Sequence, residues 1–283
     1  MTKSYIKSLV EHGFKDSIVI SKNLLIRKAL WKVLDNHFVT ITGVRREMLG
    51  KRLLEESGRV VKYGFFKGMK LGKFTWGARD SGPMIMGSYE YEVQSTIMNS
   101  PSRYKVFIDI GAADGFYAIG LTKNRKFEKA VCFESNIKSQ TLIIENAKEN
   151  KVEKNIEVFG TAKKDFHKKL LREFKSKEML FLIDIEGGEF EILDHELFKS
   201  LQKSMFVIEI HRNCTDFEKK YKKLLKNASE FFETEIIDSS ARKNISSPTM
   251  ADWPDEDRLI VFSEGRRYKM EWLVLRPKNQ ILR

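Results

Sequence analysis

The sequence predicts an α/β protein built on a mostly parallel sheet with helices on both faces. Two observations carry that prediction. From residue 105 onward, apolar β-type runs recur at 105–110, 129–134, 155–159, 178–184, 204–210, 234–237, 258–262 and 269–275. Stretches of helical character, including 136–149 and 163–174, separate the first five, and strands alternating with helices imply parallel strands joined by crossovers. The second observation is the segment FIDIGAADGFYAIGL, residues 107–121. There an apolar run stops on an acid, turns on small residues and starts a helix, as a strand does where a nucleotide-like ligand lies on the turn.

Taken in chain order, residues 3–11 and 21–57 read as helices, because Leu24, Leu25, Ala29, Leu30, Trp31 and Leu34 fall near the spacing of one apolar face. GRVVKYGFFKGMKLGKFTWG is punctuated by glycines between short β-type runs and reads as a hairpin or two. SYEYEVQSTIMNS reads as a short helix with Ser88 as its N-cap. The organisation expected is a basic helical and hairpin extension over 1–100 and a ligand-binding domain over 101–283.

The chain has 283 residues, 42% hydrophobic and 32% charged, a globular composition rather than a disordered one. No apolar run approaches the roughly 20 residues that span a bilayer. The first residues, MTKSYIKSLVEHGF, are too broken by charge for a signal peptide. Cys132 and Cys214 form neither a CxxC nor a Cys/His cluster, which argues against a disulfide framework or structural zinc and for the reducing cytoplasm. The formal charge is +12, and it is concentrated early: residues 1–100 hold 17 basic and 9 acidic side chains, the rest 34 and 30. Such a region can meet RNA, an anionic lipid or an acidic glycan, or can be a solvated helix surface.

In a parallel sheet ligands bind outside the carboxyl ends of the strands, so the residues there are the candidates. Gly111 and Gly115 bracket Ala112 and Ala113, and such small residues let a ligand approach the backbone. The turn lacks the GxGxxG spacing of dinucleotide-binding proteins. Asp109 and Asp114 set negative charge beside it, which suits a cationic ligand better than a pyrophosphate. Glu134 ends the second strand, AVCFESN, roughly 20 residues past the turn, where an acid accepts hydrogen bonds from ribose hydroxyls. NAD and S-adenosylmethionine both carry that ribose, so Glu134 points to adenosine without choosing between them. In EMLFLIDIEGGEFEIL, five of the six residues before Asp184 are apolar. Acids such as Asp184 and Glu186 at the end of a buried strand are costly unless they face a site. The fifth strand, MFVIEIHR, ends on Glu209, His211 and Arg212, and a histidine beside acids can take a proton near neutral pH.

FIDIGAADGFYAIGL, CFESN, the IIENAKEN helix with Asn146 and Asn150, and LFLIDIEGGEFEILD followed by VIEIH resemble the FkbM-type methyltransferases over about residues 105–212. The resemblance implies a class I, Rossmann-like sheet of seven strands, the last antiparallel. It implies S-adenosyl-L-methionine as cofactor and O-methylation of a hydroxyl on a sugar, surface glycan or natural product. Carried onto this chain, it places Asp109, Gly111, Ala113, Asp114, Gly115, Glu134 and Asp184 at the cofactor, with Asp184, Glu186 and His211 as the catalytic group. Thr161 and Ala162 depart from the pattern, standing where an acid often meets the adenine amine. GFFKGMKLGKFTWG, GSYEYE and DRLIVFSEGR are similar to elements of bacterial relatives linked to surface-glycan synthesis, which brings in Glu90 and Arg258 as acceptor-binding residues.

The stretch 239–257 exceeds the about 12–15 residues usual for an unstructured connection. Its apolar tip, Met250, Trp253 and Pro254, makes it either a lid with Trp253 on the acceptor and Arg242 or Lys243 meeting an anionic group, or a surface loop pinned by Trp253. The partner expected is a small-molecule or glycan acceptor, with an anionic membrane face or glycolipid at the inner membrane, and not nucleic acid. The alternatives weighed are an RNA methyltransferase of the same fold, a non-catalytic binding module and an NAD-dependent dehydrogenase. The charge prompts the RNA reading, whereas the sequence has no NPPY-type motif and Cys132 sits inside a strand. Asp184, Glu186 and Glu189 are hard oxygen donors, but Gly187 and Gly188 intervene, so no required metal is expected.

Overall fold

The computed structural model describes residues 41–74, 78–212, 214–239, 250–266 and 269–278. The helices expected over 3–11 and 21–40, and Arg242 and Lys243, lie outside the described residues. Two compact units divide the chain, residues 1–45 and 46–283.

The described elements begin with α1 (Ile41–Glu56), α2 (Ser81–Met86) and α3 (Tyr91–Met98), followed by β1 (Val106–Ile110), α4 (Phe116–Lys123), β2 (Lys129–Phe133), α5 (Ile137–Glu149) and β3 (Ile156–Phe159). Then come α6 (Phe166–Glu173), β4 (Met179–Ile183), α7 (Glu189–Ile192), α8 (His195–Ser200), β5 (Met205–Glu209), α9 (Phe217–Ser229), β6 (Phe232–Asp238), α10 (Asp255–Phe262) and β7 (Glu271–Pro277).

The seven strands form one sheet in the order β3-β2-β1-β4-β5-β7-β6. β1 to β5 pair in parallel, and β7 runs antiparallel to both β5 and β6. This is the Rossmann-like methyltransferase sheet that the resemblance implies. The strand order reverses between β1 and β4, the switch point where a crevice opens at the carboxyl ends. The register makes that crevice a row of four residues. Ile110 faces Phe133 on one side and Ile183 on the other, and Ile183 faces Ile208. The next residues, Glu134, Gly111, Asp184 and Glu209, therefore stand abreast at the sheet's edge.

Alternation along the strands splits the core in two, as a sheet covered on both faces must. Phe107, Leu180, Leu182 and Val207 lie in one apolar cluster, and Ile108, Ile110, Phe181, Ile183 and Ile208 in the other. Asp109 falls in the phase of Phe107, so its carboxyl is carried into the first face.

Four expectations are corrected. The boundary placed at residue 100 is not a boundary in packing, because residues 46–100 belong to the same unit as the sheet. Phe66, 1% exposed, lies against Gly120 on α4, where any side chain would strike its ring. Asn146 and Asn150 on α5 hold residues 70–73: Lys70 N–H donates to Asn150 Oδ1 (2.8 Å), Lys73 N–H to Asn146 Oδ1 (3.1 Å), and both amides donate back to the carbonyls of Lys70 and Lys73. Among the described residues, the hairpin expected in GRVVKYGFFKGMKLGKFTWG is one antiparallel bridge, Val60 with Lys70. Ser88 is not the N-cap residue of α3; Glu90 stands there, in the left-handed region (φ 41°), with no cap hydrogen bond from its side chain. Residues 258–262 are not a strand but part of α10, and 271–277 is the seventh strand. Pro254 and the acids Asp255, Glu256 and Asp257 open α10, a start favoured by the helix dipole. Asp257 and Val261 are buried one turn apart while Leu259 is exposed, the periodicity of a helix rather than of a strand.

Candidate active site

The turn after β1 is held in a shape few residues adopt. Gly111, Ala113 and Gly115 all have positive φ, 90°, 48° and 87°. A Cβ on Gly111 would fall on the carbonyl oxygen of Asp184, so the β1 and β4 ends touch through bare backbone. Ala113 lacks glycine's freedom in this region, and Glu134 holds it there: Ala113 N–H donates to Glu134 Oε2 at 2.9 Å, and Asn136 N–H to Oε1 at 2.7 Å. Asn146 Nδ2 donates to the Asp114 carbonyl at 3.0 Å. Glu134, expected on a ribose, thus already braces the turn while its half-buried carboxylate remains at the sheet's edge.

Beside this turn lies a cavity walled by Asp80, Glu90, Asp109, Asp114, Asp184 and Glu209, with Ala112, Ala113 and Tyr117 between them. Lack of water dominates its electrostatics. Burial raises Asp109 to about 7, against the Ala118 backbone bond that favours its charge. Burial raises Glu90 to about 7 despite Arg266, and burial with Asp184 nearby raises Glu209 to about 7. Asp184 is raised by desolvation and by Glu90. One cation serves three of the buried acids: the Arg266 guanidinium contacts Glu90, Glu264 (2.7 Å) and Glu209 (3.4 Å). Tyr117 donates its hydroxyl to Glu90 Oε2 at 2.7 Å. The acids still outnumber the cations, so the cavity favours a positively charged guest.

At the cavity's edge the strand-end residues converge. His211 Nε2 lies 3.5 Å from Asp184 Oδ1, 3.5 Å from Glu186 Oε2 and 3.6 Å from Glu209 Oε1. Its Nδ1 lies 3.5 Å from Glu189 Oε1. Burial lowers the imidazole pKa, but Glu189, Asp184 and Glu209 outweigh it and hold His211 at about 9. The surrounding acids thus favour the ring's protonated form, and the carboxylates stand beside it as further proton acceptors. Glu189 organises the cluster. Only 1% exposed, it accepts Gly187 N–H on Oε2 (2.9 Å) and His211 N–H on Oε1 (3.3 Å), joining the β4 and β5 loops. Asp184, Glu186 and His211 each offer a ligand atom within 4.8 Å of the others. The ground for expecting no metal, the glycines before Glu189, therefore lapses, because His211 rather than Glu189 completes the set.

Of the acceptor residues expected from sequence, Glu90 reaches the cavity and two do not. Among the described residues, neither Trp253 nor Arg258 lines it. Trp253, 5% exposed, packs in the core with the Arg52 guanidinium 4.5 Å from its ring centroid. Arg258 pairs with Asp255 on the surface of α10. Sequence reasoning missed Asp80, Tyr117, Glu264 and Arg266 at the site, and gave Glu189 only as a possible ligand. Nothing in their local pattern singles them out.

No protein-family model and no curated protein sequence matches the chain. Solved structures of similar fold include the B. subtilis m1A22 tRNA methyltransferase TrmK, 13% identical over 64% of each chain with a TM-score of 0.39. M. capricolum TrmK, in complex with S-adenosyl-homocysteine, is 15% identical over 65% of this chain and 67% of its own, TM-score 0.41. Precorrin-6y C5,15-methyltransferase from Geobacter metallireducens is 14% identical over 65% and 87%, TM-score 0.40. At these identities the likeness is one of fold. The presence of tRNA methyltransferases among the matches overturns the expectation that set nucleic acid aside as a partner.

Proposed function

We propose that the protein is an S-adenosylmethionine-dependent methyltransferase, of the FkbM type its motifs resemble, acting on a hydroxyl. One observation carries this: Glu134, Gly111, Asp184 and Glu209 stand abreast at the switch point, beside an acid-walled cavity. The donor set fits the cofactor, which brings a sulfonium and an ammonium. Asp80 Oδ1 is buried without a partner, and Gly111, Ala112 and Ala113 leave the backbone approachable. Glu134 would meet the ribose, Asp109 and Asp114 the cationic end.

The cofactor supplies a methyl group already activated on positive sulfur. A hydroxyl acceptor must still be aligned and lose its proton. The hydroxyl proton passes to a carboxylate of the cluster, Asp184 and Glu209 being the two that also line the cavity. His211, held by Glu189, keeps those carboxylates in place.

A glycan or other sugar hydroxyl is one acceptor class. RNA is the second reading, favoured by the net charge of +12, since Lys and Arg supply most of the affinity for a phosphate backbone; TrmK, among the matched structures, is named for such an acceptor. Incubation with methyl-labelled S-adenosylmethionine and either total RNA or a glycan extract separates the two. Label in RNA makes the RNA reading the function, label in glycan makes the first one so, and no cofactor binding by calorimetry defeats both.

A further inference from the structure

We propose that Asp184, Glu186 and His211 form a binding site for one divalent transition-metal ion at the edge of the acid-walled cavity. The argument begins with spacing. His211 Nε2 stands equidistant, 3.5 Å, from Asp184 Oδ1 and Glu186 Oε2. An imidazolium paired with a carboxylate closes to about 2.7–2.9 Å, and neither contact does. Ligands on arms of about 2.0–2.2 Å around a tetrahedral ion stand about 3.3–3.5 Å apart. These two spacings match those of atoms sharing a central ion, and all three ligand atoms lie within 4.8 Å of one another.

Glu189 fixes the histidine through the backbone. Only 1% exposed, it accepts the N–H groups of Gly187 and His211, while His211 Nδ1, 3.5 Å from its Oε1, is buried without a hydrogen-bond partner. The β5 end is thereby held, and Nε2 faces the two acids. Glu186, 89% exposed in its side chain, is free to swing onto an ion. Two carboxylates with one imidazole favour Mn²⁺, Co²⁺ or Zn²⁺ over Mg²⁺, which prefers all-oxygen surroundings. Three protein ligands would leave positions open on the ion, and Asp184 sets the site at the cavity's edge, where an acceptor could take one of them. That use rests on the methyl-transfer reading; the binding itself does not.

The test is titration of the full-length protein, stripped with EDTA, with Mn²⁺, followed by the loss of the free-ion electron paramagnetic resonance signal. One Mn²⁺ per chain is expected. Glu186→Gln and His211→Ala should each weaken it at least tenfold, and Glu191→Gln, an exposed acid on the next helix, should leave it unchanged. Glu186 is exposed enough that its variant will fold. No binding up to millimolar Mn²⁺, or binding indifferent to both variants, overturns the site. Calorimetry with S-adenosylmethionine on the same preparation keeps the two ideas apart. Mn²⁺ bound without the cofactor sustains the metal site and sinks methyl transfer; the cofactor bound without Mn²⁺ does the reverse.

Discussion

The carbonyl oxygen of Asp184 occupies the space that a Cβ on Gly111 would need. The β1 and β4 ends approach through backbone alone, with Asp184 N–H donating to the Ile110 carbonyl at 2.9 Å. Gly111 also sits at φ 90°, where a side chain is strained whatever the space. Gly111→Ala should therefore cost about 2–4 kcal/mol and disturb Asp184 with it. Chemical denaturation measures the loss; a variant within 0.5 kcal/mol of the parent would show that the two loops can part.

Glu134 holds the same turn from the other side through Ala113 and Asn136. Glu134→Gln keeps the size but removes the charge and one of the two accepting oxygens, so one of the bonds from Ala113 and Asn136 is lost with it. Cofactor affinity should fall by about 1–3 kcal/mol, read by calorimetry. Equal affinity in the two proteins would mean the carboxylate only braces the turn.

Asp109 is buried, and its folded pKa of about 7 lies above the ordinary 3.8. A carboxyl raised in this way stabilises the fold fully only below its unfolded pKa, and that contribution is lost as pH rises through about 7. Asp109→Asn removes the ionisation. The variant should gain on the parent between pH 5 and pH 8 by about 1–3 kcal/mol, seen in paired denaturation curves. A stability difference flat across that range would rule the raised carboxyl out.

Arg266 is shared by Glu90, Glu209 and Glu264. Removing one partner of a buried ion pair costs about 3–5 kcal/mol, so Arg266→Gln should be severely destabilised at pH 8. The defect should shrink as pH falls, because Glu90 and Glu209, no longer held down by Arg266, take up protons readily. Melting temperatures of the two proteins at pH 6 and pH 8 give the comparison, and an equal gap at both would contradict the shared-cation account.

Trp253 is placed as a pin rather than as a lid. Buried in the core beneath Arg52, it should lose about 3–5 kcal/mol as Trp253→Ala, while KM for both substrates stays unchanged in the folded fraction. A raised acceptor KM at unchanged melting temperature would return it to the acceptor.

Local pattern in the chain was enough for the sheet and for half of the site. A buried strand must be apolar and must end, so the acids at its end stand out: Asp109, Glu134, Asp184 and Glu209 were legible because each closes an apolar run. The small residues of 111–115 were legible because a tight strand–helix turn admits little else. Residues 258–262 misled for the same reason, since Leu, Ile, Val and Phe together read as a strand until burial shows which of them face inward. Tertiary structure decided the rest. Glu90 meets Glu264 and Arg266 across 174 and 176 residues, and Glu189, at the start of α7, ties Gly187 to His211. The charge state of His211 and the value of Asp109 near 7 likewise depend on which groups the fold brings near and how much water it removes. Periodicity reports whether a side chain faces the core, and a lone charged residue has no period; its role is set by the partner that the fold delivers from far along the chain.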